Sequence, residues 1–240
     1  MNGYWDGPKT EPQARTIDEM REVLADPGCT FDRPLYFMYR ELAQNESDRE
    51  WLRQQHVRYD ITVIPAGTLC GEYIKTKGHY HPRSPAGMRY PEIYEVLSGT
   101  GHYLLQTETA DDVVMIEATV GDKILIPPGY GHVTINPARE ELVMANLVSS
   151  EFASNYGPYV ELQGAAYYEM EGGALVKNPR YPDTPPVRYC NPVEVPEIGI
   201  ERGVGLYDLI GRPRSVAFLN HPEQFMEIFT DVIGGCLTMR

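Results

Sequence analysis

Three of the six histidines and one glutamate fall into two blocks whose residue types and spacing suit a metal ion. The first block reads Gly78-His79-Tyr80-His81, continues to Glu92 and ends at Gly99. The second reads Gly121, Pro127, Gly129, His132 and Asn136. In an extended strand, residues two apart point to the same face, so His79 and His81 can aim both imidazoles into one interior. The glycines and proline of the second block turn the chain sharply, and the strand that follows carries His132 inward. Three neutral imidazoles and a carboxylate suit a borderline divalent ion such as iron, manganese, nickel or zinc, with positions left open for water or substrate oxygens. An open coordination sphere points to catalysis rather than to a structural staple. The expected ligands are therefore His79, His81, Glu92 and His132.

Such a site needs strands to carry it, and the chain supplies them between Tyr59 and Val148. Runs of β-favouring residues over 59–64, 72–76, 92–97, 102–107, 113–118, 123–126, 132–135 and 142–148 alternate with turn residues. Ser98-Gly99-Thr100-Gly101 reads as a hairpin turn between two of them. That many short strands in so few residues argue for a closed barrel or sandwich, because closure removes exposed edges. Upstream, Thr16 and Glu19 form a capping-box pattern before Ile17, Met20 and Leu24, which predicts a short helix stopped at Asp26-Pro27-Gly28. Leu35 to Tyr39 reads as a strand, and Ser47 with Glu50 as the start of a second helix. Prolines at 179, 182, 185, 186, 192 and 196 break regular structure over 178–198, which reads as a strap or connector. A helix is expected from Pro222 to Phe229. The expected organisation is an N-terminal arm with short helices and a strand over 1–58, a metal-carrying barrel over 59–177, and a strap with a C-terminal extension over 178–240.

Composition bounds the partners. The 240-residue chain carries a formal charge of −13 and a pI near 4.9, so it repels nucleic acid and anionic lipid, and it holds no Lys/Arg run to offset this. An anionic small molecule would need local cations, which draws attention to Lys75, Lys77, Arg83 and Arg89 around the two histidines. Cys29, Cys70, Cys190 and Cys236 form no C-x-x-C pair and are expected to be reduced and mostly buried. Neither an apolar leader nor an eighteen-residue apolar run is present, so a soluble cytoplasmic protein is expected.

The two blocks match the two motifs of the cupin superfamily, and a mainly β cupin jelly-roll barrel is what that resemblance implies. The flanking sequence narrows it further. Tyr59 to Ile64, Gly71 to His81 with its Lys75-Thr76-Lys77-Gly78 lead, Pro91 to Leu97, and Pro127 to His132 resemble the cupin-type glucose-6-phosphate isomerases of archaea and some bacteria. The likeness runs from about residue 15 to residue 180. Position by position, it implies His79, His81, Glu92 and His132 as ligands of one divalent ion per subunit, Fe2+ first and Mn2+, Ni2+ or Zn2+ as alternatives. It places Thr62, Thr76, Lys77 and the Gly78 backbone at the substrate phosphate, Tyr36 and Tyr156 as hydroxyl donors, Tyr94 against the sugar chain, and Glu92 as the catalytic base. A homodimer is also implied. The chain departs from the better-known archaeal members in a longer connection over 82–91, in Ser154 where some place histidine, in Val148 where some place tyrosine, and in its last sixty residues.

The activity implied is reversible aldose-ketose isomerisation of glucose 6-phosphate and fructose 6-phosphate, through a metal-stabilised cis-enediolate or a hydride shift. A cupin Fe(II) dioxygenase uses the same ligand set and would consume oxygen. A non-enzymatic metal-dependent sugar-phosphate binding protein would show no turnover.

Overall fold

Strand alternation in the middle of the chain produces two sheets that face each other across an apolar interior. The computed structural model describes residues 3–234. In chain order the strands are β1 (Gln13–Arg15), β2 (Tyr36–Tyr39), β3 (Val57–Ile64), β4 (Thr68–Leu69), β5 (Glu72–Tyr73), β6 (Glu92–Ser98), β7 (Thr100–Thr107), β8 (Val113–Thr119), β9 (Lys123–Ile126), β10 (Tyr130–Ile135), β11 (Leu142–Ser149), β12 (Tyr167–Glu169), β13 (Leu175–Lys177) and β14 (Arg188–Cys190). One sheet runs β1-β2-β3-β11-β6-β9, the other β10-β7-β8-β14, and β4-β5 and β12-β13 form small pairs. The large sheet is antiparallel throughout, whereas β14 joins β8 in parallel.

Even-numbered residues of β3 and β11 face the interior, and the odd-numbered ones face outward. Ile64, Leu142 and Met144 join Val96, Tyr103, Leu105 and Ile116 between the sheets. Tyr59, Ile61, Val63, Val143, Ala145 and Leu147 pack outside against Leu206, Leu209, Phe218, Leu219 and Phe229. The C-terminal segment thus covers the outer face of the large sheet. That is why β11 reads as a nearly continuous apolar run, as strands buried on both faces do, whereas β3 alternates Arg58, Asp60 and Thr62 with apolar residues that face outward.

The short helix after Thr16 forms as α1 (Ile17–Met20) and tightens into a 3-10 turn over Arg21–Val23, with Glu19 accepting from the Thr16 backbone N–H at 2.9 Å. The second helix, α2 (Glu46–Gln54), starts earlier than its sequence suggests, because the Asn45 side chain, not Ser47, accepts from the Asp48 N–H at 2.9 Å. A further helix, α3 (Gly157–Glu161), follows Tyr156. Near the C-terminus, α4 (Pro213–Val216) is followed by a 3-10 turn at Pro222–Gln224, and only after Phe225 does α5 (Met226–Gly234) begin, so the single helix expected from Pro222 is interrupted.

Two other expectations are corrected. Ser98 to Gly101 is not a hairpin: β6 pairs with β9 and β11, whereas β7 pairs with β8 and β10, so the turn carries the chain from one sheet to the other. Gly99 makes that corner at φ +80°, where a Cβ would lie 2.7 Å from the Glu141 carbonyl oxygen. The cysteines are not all reduced. Cys29 and Cys70, with Cα atoms 5.9 Å apart, form a disulfide that ties the loop before β2 to the turn after β4. Cys236 lies outside the described residues.

Candidate metal centre and its pocket

His79 and His81 come from an extended segment rather than from a regular strand. Gly78, at φ +77°, interrupts the ladder just before them, and the segment is held by isolated bridges: His79 and His132 exchange backbone hydrogen bonds of 3.3 and 3.2 Å, and Tyr80 and Asn155 exchange bonds of 3.0 and 2.8 Å. Glu92 opens β6, and His132 lies in β10 on the opposite sheet. Four ligand atoms, one from each of His79, His81, Glu92 and His132, lie within 4.8 Å of one another. The His79 and His81 Nε2 atoms are 3.1 Å apart, and Glu92 Oε2 stands 3.2 Å from His81 Nε2 and 3.4 Å from His132 Nε2.

Groups behind the four hold their orientation. His81 Nδ1 lies 2.9 Å from the Tyr90 carbonyl oxygen, which fixes N–H at Nδ1 and leaves the Nε2 lone pair facing the cluster. Phe152 packs on the same ring with centroids 4.6 Å apart. Asn146 Nδ2 donates to Glu92 Oε1 at 2.7 Å, which turns the second carboxylate oxygen toward the imidazoles. That oxygen, Oε2, is buried and has no hydrogen-bond partner of proper geometry, and neither does His132 Nδ1. A buried carboxylate oxygen without a donor is costly unless a cation completes it. The donor set and this orphaned oxygen fit a divalent ion.

The local electrostatics keep the set ready to bind one. Burial, then the His132 and His81 imidazoles and the Arg40 and Arg58 guanidiniums, holds His79 well below the ordinary histidine value. Burial pushes His132 down to about 4, against the opposing pull of Glu92. Both rings are therefore neutral at neutral pH, as a metal ligand must be. For Glu92, burial works to raise the pKa, but its contact with His81 and the electrostatic pull of the His132 and His81 imidazoles and of Arg58 outweigh it and hold the carboxyl below its usual value. Burial and Glu92 raise Tyr94 well above the phenol range, so its hydroxyl, 3.0 Å from His132 Nε2, remains a donor.

The pocket around the cluster contains all of the sequence-predicted contact positions. Tyr36, Thr62, Thr76, Lys77, Gly78, Tyr94 and Tyr156 line it together with the four ligand residues. Tyr36 accepts from the Lys77 backbone N–H at 3.3 Å, and the Tyr156 ring lies 5.5 Å from His79 and 5.9 Å from Lys77 Nζ. Of the four cations near the histidines, Lys77 alone lines this pocket. Lys75 is buried against Glu72 and the Tyr168 ring, Arg83 donates to the Gly87 carbonyl at 2.7 Å, and Arg89 donates to the His81 carbonyl at 2.6 Å.

The same pocket is lined by Arg40, Arg58 and Asn146, which sequence reasoning did not single out. A signal for Arg58 was present: in β3 it shares a face with Asp60 and Thr62 by simple alternation. Nothing local marks Arg40 or Asn146, because only strand pairing brings them to Asp60 and Glu92.

Residues 14–185 match the model of the family described as Glucose-6-phosphate isomerase (GPI). A glucose-6-phosphate isomerase from Thermococcus gammatolerans is 30% identical over 173 residues, covering 70% of this chain and 86% of that protein. One from Pyrococcus furiosus is 28% identical over 131 residues, 54% of this chain and 67% of that protein. Among solved structures, Bacillus subtilis oxalate decarboxylase overlaps 51% of this chain and 29% of its own, with 16% identity and a TM-score of 0.37.

Proposed function

This chain belongs to the glucose-6-phosphate isomerase family, and from that membership together with its pocket we infer that it interconverts glucose 6-phosphate and fructose 6-phosphate. The observation that carries the reading is the convergence of His79, His81, Glu92 and His132 at a pocket also lined by Thr62, Thr76 and Lys77. One group of residues suits an ion, and the other suits a phosphate.

The four residues would hold one divalent ion, with Fe2+ as the proposed native metal and Mn2+, Ni2+ or Zn2+ as substitutes. When bound, the ion supplies Lewis acidity that draws negative charge onto O1 and O2 of an open-chain sugar. The rest falls to the chain's own side chains. Lys77, the hydroxyls of Thr62 and Thr76 and the Gly78 N–H anchor the phosphate, and Tyr36 and Tyr156 add hydroxyls there. That remote binding energy fixes C1 and C2 against the carboxylate. Glu92 removes the C2 proton, and the C–H electron pair becomes the C1–C2 π bond as charge moves to O1. Returning the proton to C1, with the O2 hydroxyl proton passing to O1, completes the ketose. Tyr94, protonated and two residues from Glu92 on the same strand face, donates to a sugar oxygen. Solvent deuterium appearing at C1 of the product supports this proton route, and full retention of the C2 hydrogen replaces it with a hydride shift.

Finer assignments follow as part of the same reading. Glycolysis and gluconeogenesis are the proposed setting, as a cytoplasmic homodimer. No helix among the described residues is long and apolar enough to cross a membrane. The Cys29–Cys70 disulfide pulls the other way on compartment, since such bonds are rare in reducing cytosol. Thiol trapping in freshly lysed cells decides that point, and light scattering decides the dimer.

The test of function is a coupled isomerase assay on gently purified protein with parallel metal analysis. Turnover of fructose 6-phosphate is expected, along with joint loss of metal and activity in His132→Ala. Absence of turnover in metal-replete protein, or an active metal-free variant, overturns the assignment. Unchanged activity under argon would set oxygen chemistry aside.

A further inference from the structure

Asp60 is 1% exposed, yet it is the hub of a charged network on the pocket wall. Its Oδ2 accepts from Arg40 Nη1 at 3.0 Å and Arg58 Nε at 2.9 Å, and its Oδ1 accepts from the Glu41 N–H at 2.9 Å. Two guanidiniums on one carboxylate leave a net positive charge facing the pocket, in a chain whose overall charge is −13.

The two arginines are not equivalent. Arg40 uses all three of its nitrogens, on Gln13, Asp60 and the Met38 sulfur. Arg58 bonds only through Nε, and neither of its terminal Nη groups has a hydrogen bond to any described residue. Its side chain is 22% exposed, so the fork is anchored at its base and open at its tip.

Strand register places that tip. Val148 pairs with Arg58 on one side and with Glu92 on the other, so the three form one row across β3, β11 and β6. Two strand spacings put the Arg58 and Glu92 backbones about 10 Å apart, a gap that an arginine side chain largely crosses. The short Val148 side chain between them leaves the space above it open to the pocket. Thr62, assigned to the phosphate, lies four residues along β3, about 13 Å away. Arg58 and Thr62 therefore stand at opposite ends of a site the length of an extended six-carbon sugar phosphate. Arg58 belongs to the metal end, where its charge acts on both Glu92 and His79.

We propose that Arg58 contacts the substrate at the reacting end, its Nη fork donating to the oxygens on C1 and C2, with Asp60 as the positioning residue that holds the fork in place. The inference rests on the isomerase reading for the identity of the sugar phosphate. Negative charge grows on those oxygens as the C2 proton leaves, so the contact is stronger in the transition state than in the ground state and serves kcat more than KM.

Two probes separate this role from phosphate binding or scaffolding. 6-Phosphogluconate carries a carboxylate at C1, and glucitol 6-phosphate carries an alcohol there, while both have the same phosphate. With Mn2+ supplied, calorimetric binding to the wild type, Arg58→Met and Arg58→Lys is compared, and isomerase kinetics are run in parallel. Arg58→Met is expected to weaken 6-phosphogluconate at least about tenfold and glucitol 6-phosphate less than about threefold, and to cut kcat about tenfold with KM nearly unchanged. Arg58→Lys, which restores charge without the fork, should recover part of both losses. Equal loss for the two probes, or no loss for either, overturns the proposal while leaving the isomerase reading intact. If the wild type fails to turn over sugar phosphate but the probes still separate, the isomerase reading falls and the Arg58 contact stands.

Discussion

Replacing Asn146 with leucine tests whether the centre depends on the groups behind its ligands. The Asn146 amide donates to Glu92 Oε1 at 2.7 Å with both residues buried, Asn146 at 5% and Glu92 at 3% exposure. Leucine fills comparable space but strips a buried carboxylate oxygen of its donor. A hydrogen bond to a charged group contributes about 1.5–3 kcal/mol. Loss of such an outer contact typically lowers metal affinity about 10–100-fold, or about 1.4–2.7 kcal/mol, so the two routes agree. The expected result for Asn146→Leu is a tenfold or greater loss in metal affinity, measured by chelator competition, with kcat falling because Glu92 is no longer held. Asn146→Asp sharpens the test. Its carboxylate cannot donate when ionised and repels Glu92, so the variant's shortfall in metal affinity relative to the wild type at the same pH should narrow as pH falls and the introduced carboxyl takes a proton. A leucine variant within twofold of wild type in both affinity and kcat would refute the reasoning.

Three more expectations follow from the geometry. Gly78→Ala places a Cβ 2.7 Å from Val133 Cγ2 and 2.8 Å from the Tyr159 ring at a positive φ, so a stability loss of about 2–5 kcal/mol in urea unfolding is expected, together with weaker metal binding through displaced His79. Lys77→Met should raise KM for fructose 6-phosphate several-fold with little change in Tm, and an unchanged KM would remove Lys77 from the phosphate end. Arg188 grips Asp112 through two hydrogen bonds of 2.7 and 2.6 Å, and that contact holds the Asp112 carboxyl below its usual value against burial. A depressed carboxylate contributes stability above its unfolded pKa of about 3.9 and loses it as pH falls through the lower folded value. Arg188→Gln should therefore cost about 1 kcal/mol at pH 7, and its urea midpoint should converge on that of the wild type in strongly acidic solution.

What the amino-acid sequence determined by itself was whatever is written in short-range spacing. Alternating β-branched and aromatic residues set strands β3 and β6 to β11 to within a few positions, because side-chain facing repeats every two residues wherever a strand forms. The His-x-His pair, Glu92 and His132 were picked out by residue type and spacing, and the fold brings the four together as a group that could hold a metal ion. Tertiary structure decided which elements are neighbours. Ser98 to Gly101 has the local signature of a hairpin, yet β6 and β7 lie in different sheets, because β6 takes β9 and β11 as its hydrogen-bonding partners and β7 takes β8 and β10, strands that lie elsewhere in the sequence. Cys29 and Cys70, 41 residues apart, are brought together only by the tertiary fold. Nothing in local spacing marks Leu206, Leu209, Phe218 and Phe229 as the cover of the outer face of β3 and β11. Asn146 reaches Glu92 across 54 residues, and Arg58 reaches Glu92's row only through β11. Local sequence encodes which way a side chain points, whereas strand order and register decide what it points at.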